Sequence, residues 1–322
     1  MIRWATAAAA LLYAGAALFA QDFPARPIKI IVPTSPGGLN DLLSRTLGQS
    51  LSQSVGQAVV VENRPGGGSM IGMAALAKAA PDGYTLAITT KEPLVYNPLL
   101  YTRLPFDPEK DFSFVTHLVR TIGVIVANAQ APGSSFPEMV SHARAHAGEL
   151  NWATWGSGST PAIYLEWIKR QNSIDIAGIP YKGAGPALSA IVTGQVHLTY
   201  TAIGLALPFI HSGKLKALAV TGASRSGELP GVQNLAQFNS DPDFASGFGV
   251  YAPAKVPPAI LERLALEFRK ALATPQLQKI MAGTMEPVGS TPAEFAASIA
   301  ADKANAVAVF RALGIRASEA PE

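Results

Sequence analysis

The chain contains no cysteine. That removes disulfides, thiol nucleophiles and thiolate metal sites, and leaves an oxidising compartment open without requiring one. Charge is scarce: 15% of residues are Asp, Glu, Lys or Arg, against about 25% in an ordinary globular protein. With 25 basic and 22 acidic side chains the balance is only +3, too mild for a nucleic-acid footprint. No repeat or low-complexity tract occurs, and beyond the N-terminus no apolar run approaches a membrane span. What the sequence has in quantity is glycine and proline, 29 and 25 residues, which with the low charge describes a compact, loop-rich α/β protein.

Arg3 is followed by an unbroken, alanine-rich apolar run from Trp4 to Ala20, and the charged chain begins at Gln21-Asp22. This pattern is expected to be an export signal over residues 1–20, cleaved after Ala20. A retained anchor is the alternative, since the run lies at the short end of the spanning range. The remainder is longer than one hydrophobic core usually accommodates, so two domains are expected. Strand-like segments (58–61, 84–89, 123–127, 151–154, 177–181, 198–200, 215–221, 248–252) alternate with helical patterns (69–80, 135–147, 160–171, 185–193, 257–273). That alternation argues for mostly parallel sheets flanked by helices. Thr291-Pro292-Ala293-Glu294 reads as a capping box opening a long helix to Gly314.

The most informative joint lies near the start. Ile28–Val32 is a β-branched run that stops at Pro33, and Leu39, Leu42, Leu43, Leu47 and Leu51 then follow at helical spacing. Between them lie Thr34, Ser35, Pro36, Gly37 and Gly38. Two glycines let backbone N–H groups turn toward a ligand, and the positive helix end favours an anion by about 0.3–1 kcal/mol. The loop has hydroxyls but no Lys or Arg, so it suits a small carboxylate rather than phosphoryl transfer. A second turn, Gly66-Gly67-Gly68 with Gly72, misses the dinucleotide spacing and has no Walker lysine. A third, Trp155-Gly156-Ser157-Gly158-Ser159-Thr160, lacks the glycines two residues either side of Ser157 that a nucleophile elbow needs. It reads either as an oxyanion site or as an ordinary capped helix start. Lys182, in Tyr181-Lys182-Gly183, can supply charge to a carboxylate or be merely solvated. His142 and His146 are four apart on a helical stretch without the zincin carboxylate between them, so no metal is expected. Asp107 and Asp111 read as turn formers.

Taken together, the joints resemble a known family. The pieces are Pro27-Ile28-Lys29-Ile30-Ile31-Val32-Pro33 with Pro36-Gly37-Gly38 and Asp41, then Val61-Glu62-Asn63-Arg64-Pro65-Gly66. Pro81-Asp82-Gly83-Tyr84-Thr85-Leu86, Asn97-Pro98 and Pro180-Tyr181-Lys182-Gly183 follow, and finally 213–221 and Ala252-Pro253. In this order and spacing the chain resembles the substrate receptors of the tripartite tricarboxylate transporters, the Bug-type periplasmic solute-binding proteins.

The resemblance implies a two-domain α/β clamshell of the type II periplasmic binding protein kind, with residues 21–121 plus 248–322 in one domain and 122–247 in the other. Crossovers are expected near 120–123 and 244–249. It implies a non-catalytic, monomeric receptor without cofactor or metal. Such a receptor presents a small carboxylate to membrane transporter subunits, or to a sensor's outer domain. The implied ligand-binding residues are Thr34, Ser35, Gly37, Gly38, Asp41 and Thr90 on one side of the cleft. Trp155, Gly156, Ser157, Gly158, Thr160, Tyr181, Lys182, Gly183 and Thr201 face them on the other. Two positions depart from the family's pattern: Ala162 replaces a histidine and Thr201 an aspartate found in many relatives, the latter counting against a ligand ammonium group. Trp155 and Tyr164 add aromatic bulk, which favours an aromatic mono- or dicarboxylate such as terephthalate. The alternative from another class is a secreted hydrolase using Ser157 or Ser159.

Overall fold

The computed structural model describes residues 23–155, 159–221, 227–238, 246–314 and 317. The expected export signal lies outside these residues. The chain runs β1 (Ile28–Val32), α1 (Leu39–Val55), β2 (Val59–Asn63), α2 (Met70–Ala77) and β3 (Thr85–Thr89). Short helices α3 (Glu92–Val95) and α4 (Asn97–Leu100) lead to β4 (Phe112–Thr121), then β5 (Gly123–Asn128), α5 (Phe136–Ala145) and β6 (Asn151–Thr154). Next come α6 (Thr160–Asn172), β7 (Ala177–Pro180), α7 (Ala184–Val192), β8 (Leu198–Ala202), α8 (Ile203–His211) and β9 (Leu215–Thr221). The chain closes with β10 (Ser246–Pro253), α9 (Pro258–Leu272), α10 (Pro275–Met281), β11 (Met285–Pro287) and α11 (Pro292–Leu313).

Two sheets result, ordered β11-β4-β10-β3-β1-β2 and β7-β6-β8-β5-β9. The two-sheet α/β class matches the expectation, but the sheets are mixed rather than mostly parallel. β1 pairs parallel with β2 and β3, and β6 with β7 and β8. By contrast β10 runs antiparallel to β3 and β4, β11 to β4, and β5 to β8 and β9. The reason is topological. A chain that leaves one sheet along β4, enters the other along β5 and returns along β10 must run one of these strands against the rest.

Burial follows the leucine spacing on α1, where Leu43, Leu47 and Leu51 are fully buried, while Leu42 is half exposed. α1 and α9 cover one face of the first sheet around Ile28, Ile30, Leu86, Val250 and Phe268. The opposite face is continuous with a core that runs into the second sheet through Tyr251, Phe295, Phe310, Tyr164 and Tyr200. α11 carries that continuity: Phe310 stacks on Tyr96 with ring centroids 6.0 Å apart, and Ala312 O accepts from Arg170 Nη1 of α6 at 2.8 Å. The helix opens on the expected capping box at Thr291 and Glu294 and closes on Gly314.

Two glycines are explained by close approach. Gly72 lies against Pro33, where a Cβ would come within 2.7 Å of the proline ring. The Gly66–Gly72 turn therefore serves packing of α2 on the end of β1. Gly123 opens β5 immediately after the passage from the first sheet, and a Cβ there would overlap the Tyr200 hydroxyl and Thr221 Oγ1. Tyr200 cannot retreat, because it is stacked on Tyr164 at 4.2 Å. Gly123→Ala is therefore expected to destabilise the chain by about 1–3 kcal/mol, the usual cost of overpacking, seen as a lowered midpoint in thermal unfolding. An unchanged midpoint would mean that this junction is looser than its packing shows.

Candidate functional site

Parallel strands in α/β sheets present their ligand loops at their carboxyl ends. Here those ends carry the β1–α1, β3–α3, β6–α6, β7–α7 and β8–α8 joints, which include every candidate binding residue named from the sequence.

In the first loop Asp41 is an organising group. It is buried (6% exposed) and accepts from the Gly37 N–H at 3.0 Å, Arg45 Nε at 3.1 Å and Asn63 Nδ2 at 2.9 Å. Asn63 Nδ2 also donates to Thr34 O at 3.1 Å, and Arg45 Nη2 donates to Asn63 Oδ1 at 2.7 Å. Burial opposes the Asp41 charge, yet the bonds from Arg45, Gly37 and Asn63 outweigh it and hold the carboxyl below the usual aspartate value. Asp41 thus fixes both ends of the Thr34–Gly38 loop. α1 itself starts at Gly38 with no side-chain cap, so its first N–H groups have no side-chain acceptor.

The second joint contains a residue the sequence reading did not single out. Glu92, at the start of α3 just after β3, reaches α6 beside the second sheet. Its Oε1 accepts from the Thr160 N–H at 3.1 Å and from the Thr160 hydroxyl, and its Oε2 accepts from the Thr90 hydroxyl at 3.3 Å. Desolvation raises the Glu92 pKa, against the lowering effect of the Thr160 and Thr90 bonds. The N-cap of α6, Ser159, makes no side-chain cap bond to the helix; its Oγ accepts instead from the Trp155 N–H at 3.3 Å. Glu92 therefore supplies the acceptor at this helix start. The structure brings Thr90 and Thr160 together through it.

α7 likewise begins without a side-chain cap, at Gly183. Lys182 beside it is exposed, while Trp155 and Tyr181 are half-buried against the same apolar cluster, with Ala187 and Leu188. Tyr164 is fully buried in the Tyr200 stack, so it belongs to the core and not to the cleft wall expected from the sequence. Gly156, Ser157 and Gly158 lie outside the described residues. Ser35, Gly37 and Gly38 are at the loop surface or near it.

Three threonine hydroxyls at these strand ends are buried without a hydrogen-bond partner: Thr34, Thr89 and Thr201. Thr89 and Thr201 are 1% and 2% exposed. Orphaned buried hydroxyls are costly unless a ligand or water completes them. Thr89 and Asn63 were missed in the sequence, although Asn63 stands inside one of the pieces that carried the resemblance.

Elsewhere, His142, His146 and Glu149 place potential metal-ligand atoms within 4.8 Å of one another. They precede β6, at the edge of the sheet opposite the loops just described. The two imidazoles stack nearly parallel at 4.3 Å, so their lone pairs run alongside each other rather than converge. Asp107 and Asp111 accept backbone N–H bonds within their own turn, as expected of turn formers.

Two mixed sheets with ligand loops at facing strand ends define a two-lobed binding protein, and solved structures agree. R. palustris Rpa4515 with adipate matches with a TM-score of 0.87 at 30% identity, over 92% of this chain and 100% of that one. MatC (Rpa3494) from Rhodopseudomonas palustris with bound malate matches with a TM-score of 0.81 at 28% identity, over 89% and 99%. Protein BugT of Bordetella pertussis is 33% identical over 301 residues, 92% of either chain. Residues 43–315 match the tripartite tricarboxylate transporter family receptor. The chain belongs to that family of periplasmic solute-binding receptors, which are not enzymes, and the hydrolase alternative on Ser157 or Ser159 falls away.

Asp41→Ala would strand the Gly37 N–H and Asn63. It is expected to cost about 1.5–3 kcal/mol, the usual contribution of hydrogen bonds to a charged group, measured by chemical denaturation near neutral pH. Because the folded carboxyl is held below its unfolded value, its contribution is complete above the unfolded value and lost as pH falls through the folded one. The gap between wild type and variant should therefore narrow in acid. A gap that is constant with pH would remove Asp41 from the account of this loop.

Proposed function

We propose that the chain captures a small organic carboxylate in the periplasm and delivers it to the membrane subunits of a tripartite tricarboxylate-type transporter. The observation that carries this reading is the set of helix starts at the strand ends. α1 and α7 lack a side-chain acceptor, α6 has Glu92 in its place, and all three stand among buried, unpartnered threonine hydroxyls. Such an edge suits an anion held by backbone dipoles and hydroxyls. The adipate- and malate-bound relatives support the carboxylate class.

On this reading residues 1–20 are the export signal. Residues 21–121 plus 248–322 and residues 122–247 form the lobes of a monomer. The carboxylate meets Thr34, Ser35, Gly37 and Gly38 on one lobe and Tyr181, Lys182 and Gly183 on the other, with Thr90, Thr160 and Thr201 between. Asp41 shapes the first loop from behind. Trp155 and Tyr181, both half-buried, favour a planar or apolar ligand body, such as an aromatic mono- or dicarboxylate of the benzoate or terephthalate kind.

A thermal-shift screen of the exported chain against aliphatic, hydroxylated and aromatic acids and amino acids tests this. A ligand at about 100 times its Kd should add roughly 2.7 kcal/mol of stability. Trp155→Ala is expected to weaken an aromatic acid at least about tenfold, or ~1.4 kcal/mol, with little effect on an aliphatic one. Shifts confined to zwitterions, or none with any acid, would defeat the reading.

A further inference from the structure

We propose that Glu92 sets the charge of the ligand: it occupies the anion position at the start of α6, so the cleft accepts acids with one carboxylate and a neutral distal end. This rests on the carboxylate-receptor reading above.

An uncapped helix start is a ready site for an anion; of the four longer helices that start at this edge without a cap of their own, α6 is already filled, and the first N–H of α8, on Ile203, donates to Ile122 O at 2.9 Å. The filling group comes from the other sheet. The Glu92 side chain crosses from α3 to accept both the N–H and the hydroxyl of Thr160, with Thr90 bonded to its second oxygen. A ligand carboxylate arriving there would have to displace Glu92 or lie against it.

Neighbouring cations offer little relief. Arg45 is bound to Asp41 and Asn63, Arg64 to Glu62 at 2.6 Å, and Lys91 to Asp302 at 2.7 Å. Among the described residues of these loops, Lys182 alone has no carboxylate partner, and it stands between the end of β7 and the start of α7. The edge therefore holds one uncommitted cation and two uncommitted helix starts, α1 and α7, enough for a single carboxylate. A second would meet the Glu92 carboxyl without compensation, and two carboxyl groups sharing a desolvated site do not both ionise readily, the direction in which burial already pushes Glu92.

What remains for the distal end is neutral. The Thr89 and Thr201 hydroxyls, buried and unpartnered, can each donate or accept a hydrogen bond. They suit a hydroxyl, a carbonyl or the edge of a ring.

The test is calorimetric titration of the full exported chain with matched pairs, benzoate against terephthalate and hexanoate against adipate. Wild type should bind the monocarboxylate of a pair at least tenfold more tightly. Glu92→Gln keeps the size and an oxygen for the Thr160 N–H but removes the charge, and should shrink that ratio at least fivefold. Glu92→Ala should do the same, with thermal midpoints of both variants confirming that they fold. A dicarboxylate bound by wild type as tightly as its partner, or a ratio unchanged in both variants, overturns the proposal. An amino acid bound more tightly than any of these and lost in Glu92→Gln also overturns it, by making Glu92 an ammonium partner. Failure of all acids to bind wild type and variants alike defeats the carboxylate reading itself and the proposal with it, whereas binding without charge discrimination defeats the proposal alone.

Discussion

A backbone N–H at a helix start needs an acceptor, and the ligand edge of this protein is arranged around that need. Two helices elsewhere in the chain meet it with a side chain of their own, while α2, α3, α4, α8, α9 and α10 start without one. α5 and α11 have Ser135 and Thr291 as side-chain caps. At the strand ends that face one another, α1, α6 and α7 have none. Gly38 and Gly183 have no side chain to offer, and the Ser159 hydroxyl is turned to the Trp155 N–H. The acceptor must come from outside each helix. In one case it is Glu92; in α1 and α7, on the proposed function, it is the ligand carboxylate.

That arrangement stays in place because its supports are remote from it. Asp41, Arg45 and Asn63 hold the first loop from the helix and β2, with the Gly37 N–H turned back onto Asp41. The sheets themselves are joined through the Thr121–Gly123 passage and through α11, which packs on β4 of the first sheet and on α6 of the second. The helix that strengthens the link between lobes is thus the same one whose capping box was plain in the sequence. Relative motion of the lobes would have to work around the Arg170–Ala312 and Thr160–Glu92 bonds.

Much of this was legible in the residues, and what was not has physical causes. Apolar runs and stripes announced themselves: Ile28–Val32 and Asn151–Thr154, buried on both faces, and the leucine stripe of α1 stand where the sequence puts them. β4 did not, because register shifts against β10 break its alternation, leaving a run that reads as neither strand nor helix. α8 was obscured by Pro208 inside it. The mixed strand direction follows from the two crossovers and has no local signature. In the site, Thr90 and Thr160 were named but Glu92 was not, since its partner lies 68 positions away and a lone acidic residue before a proline looks like any solvated helix start. Tyr164 failed in the opposite sense. Its spacing put it near the cleft, and only the Tyr200 stack shows that it faces inward.

The most direct test of the central claim is a crystal structure of the exported chain with whichever acid stabilises it most. The account predicts carboxylate oxygens within about 2.7–3.2 Å of N–H groups that open α1 or α7, with Glu92 still seated on Thr160. A ligand that touches neither helix start, or that is held by side-chain cations alone, would contradict it.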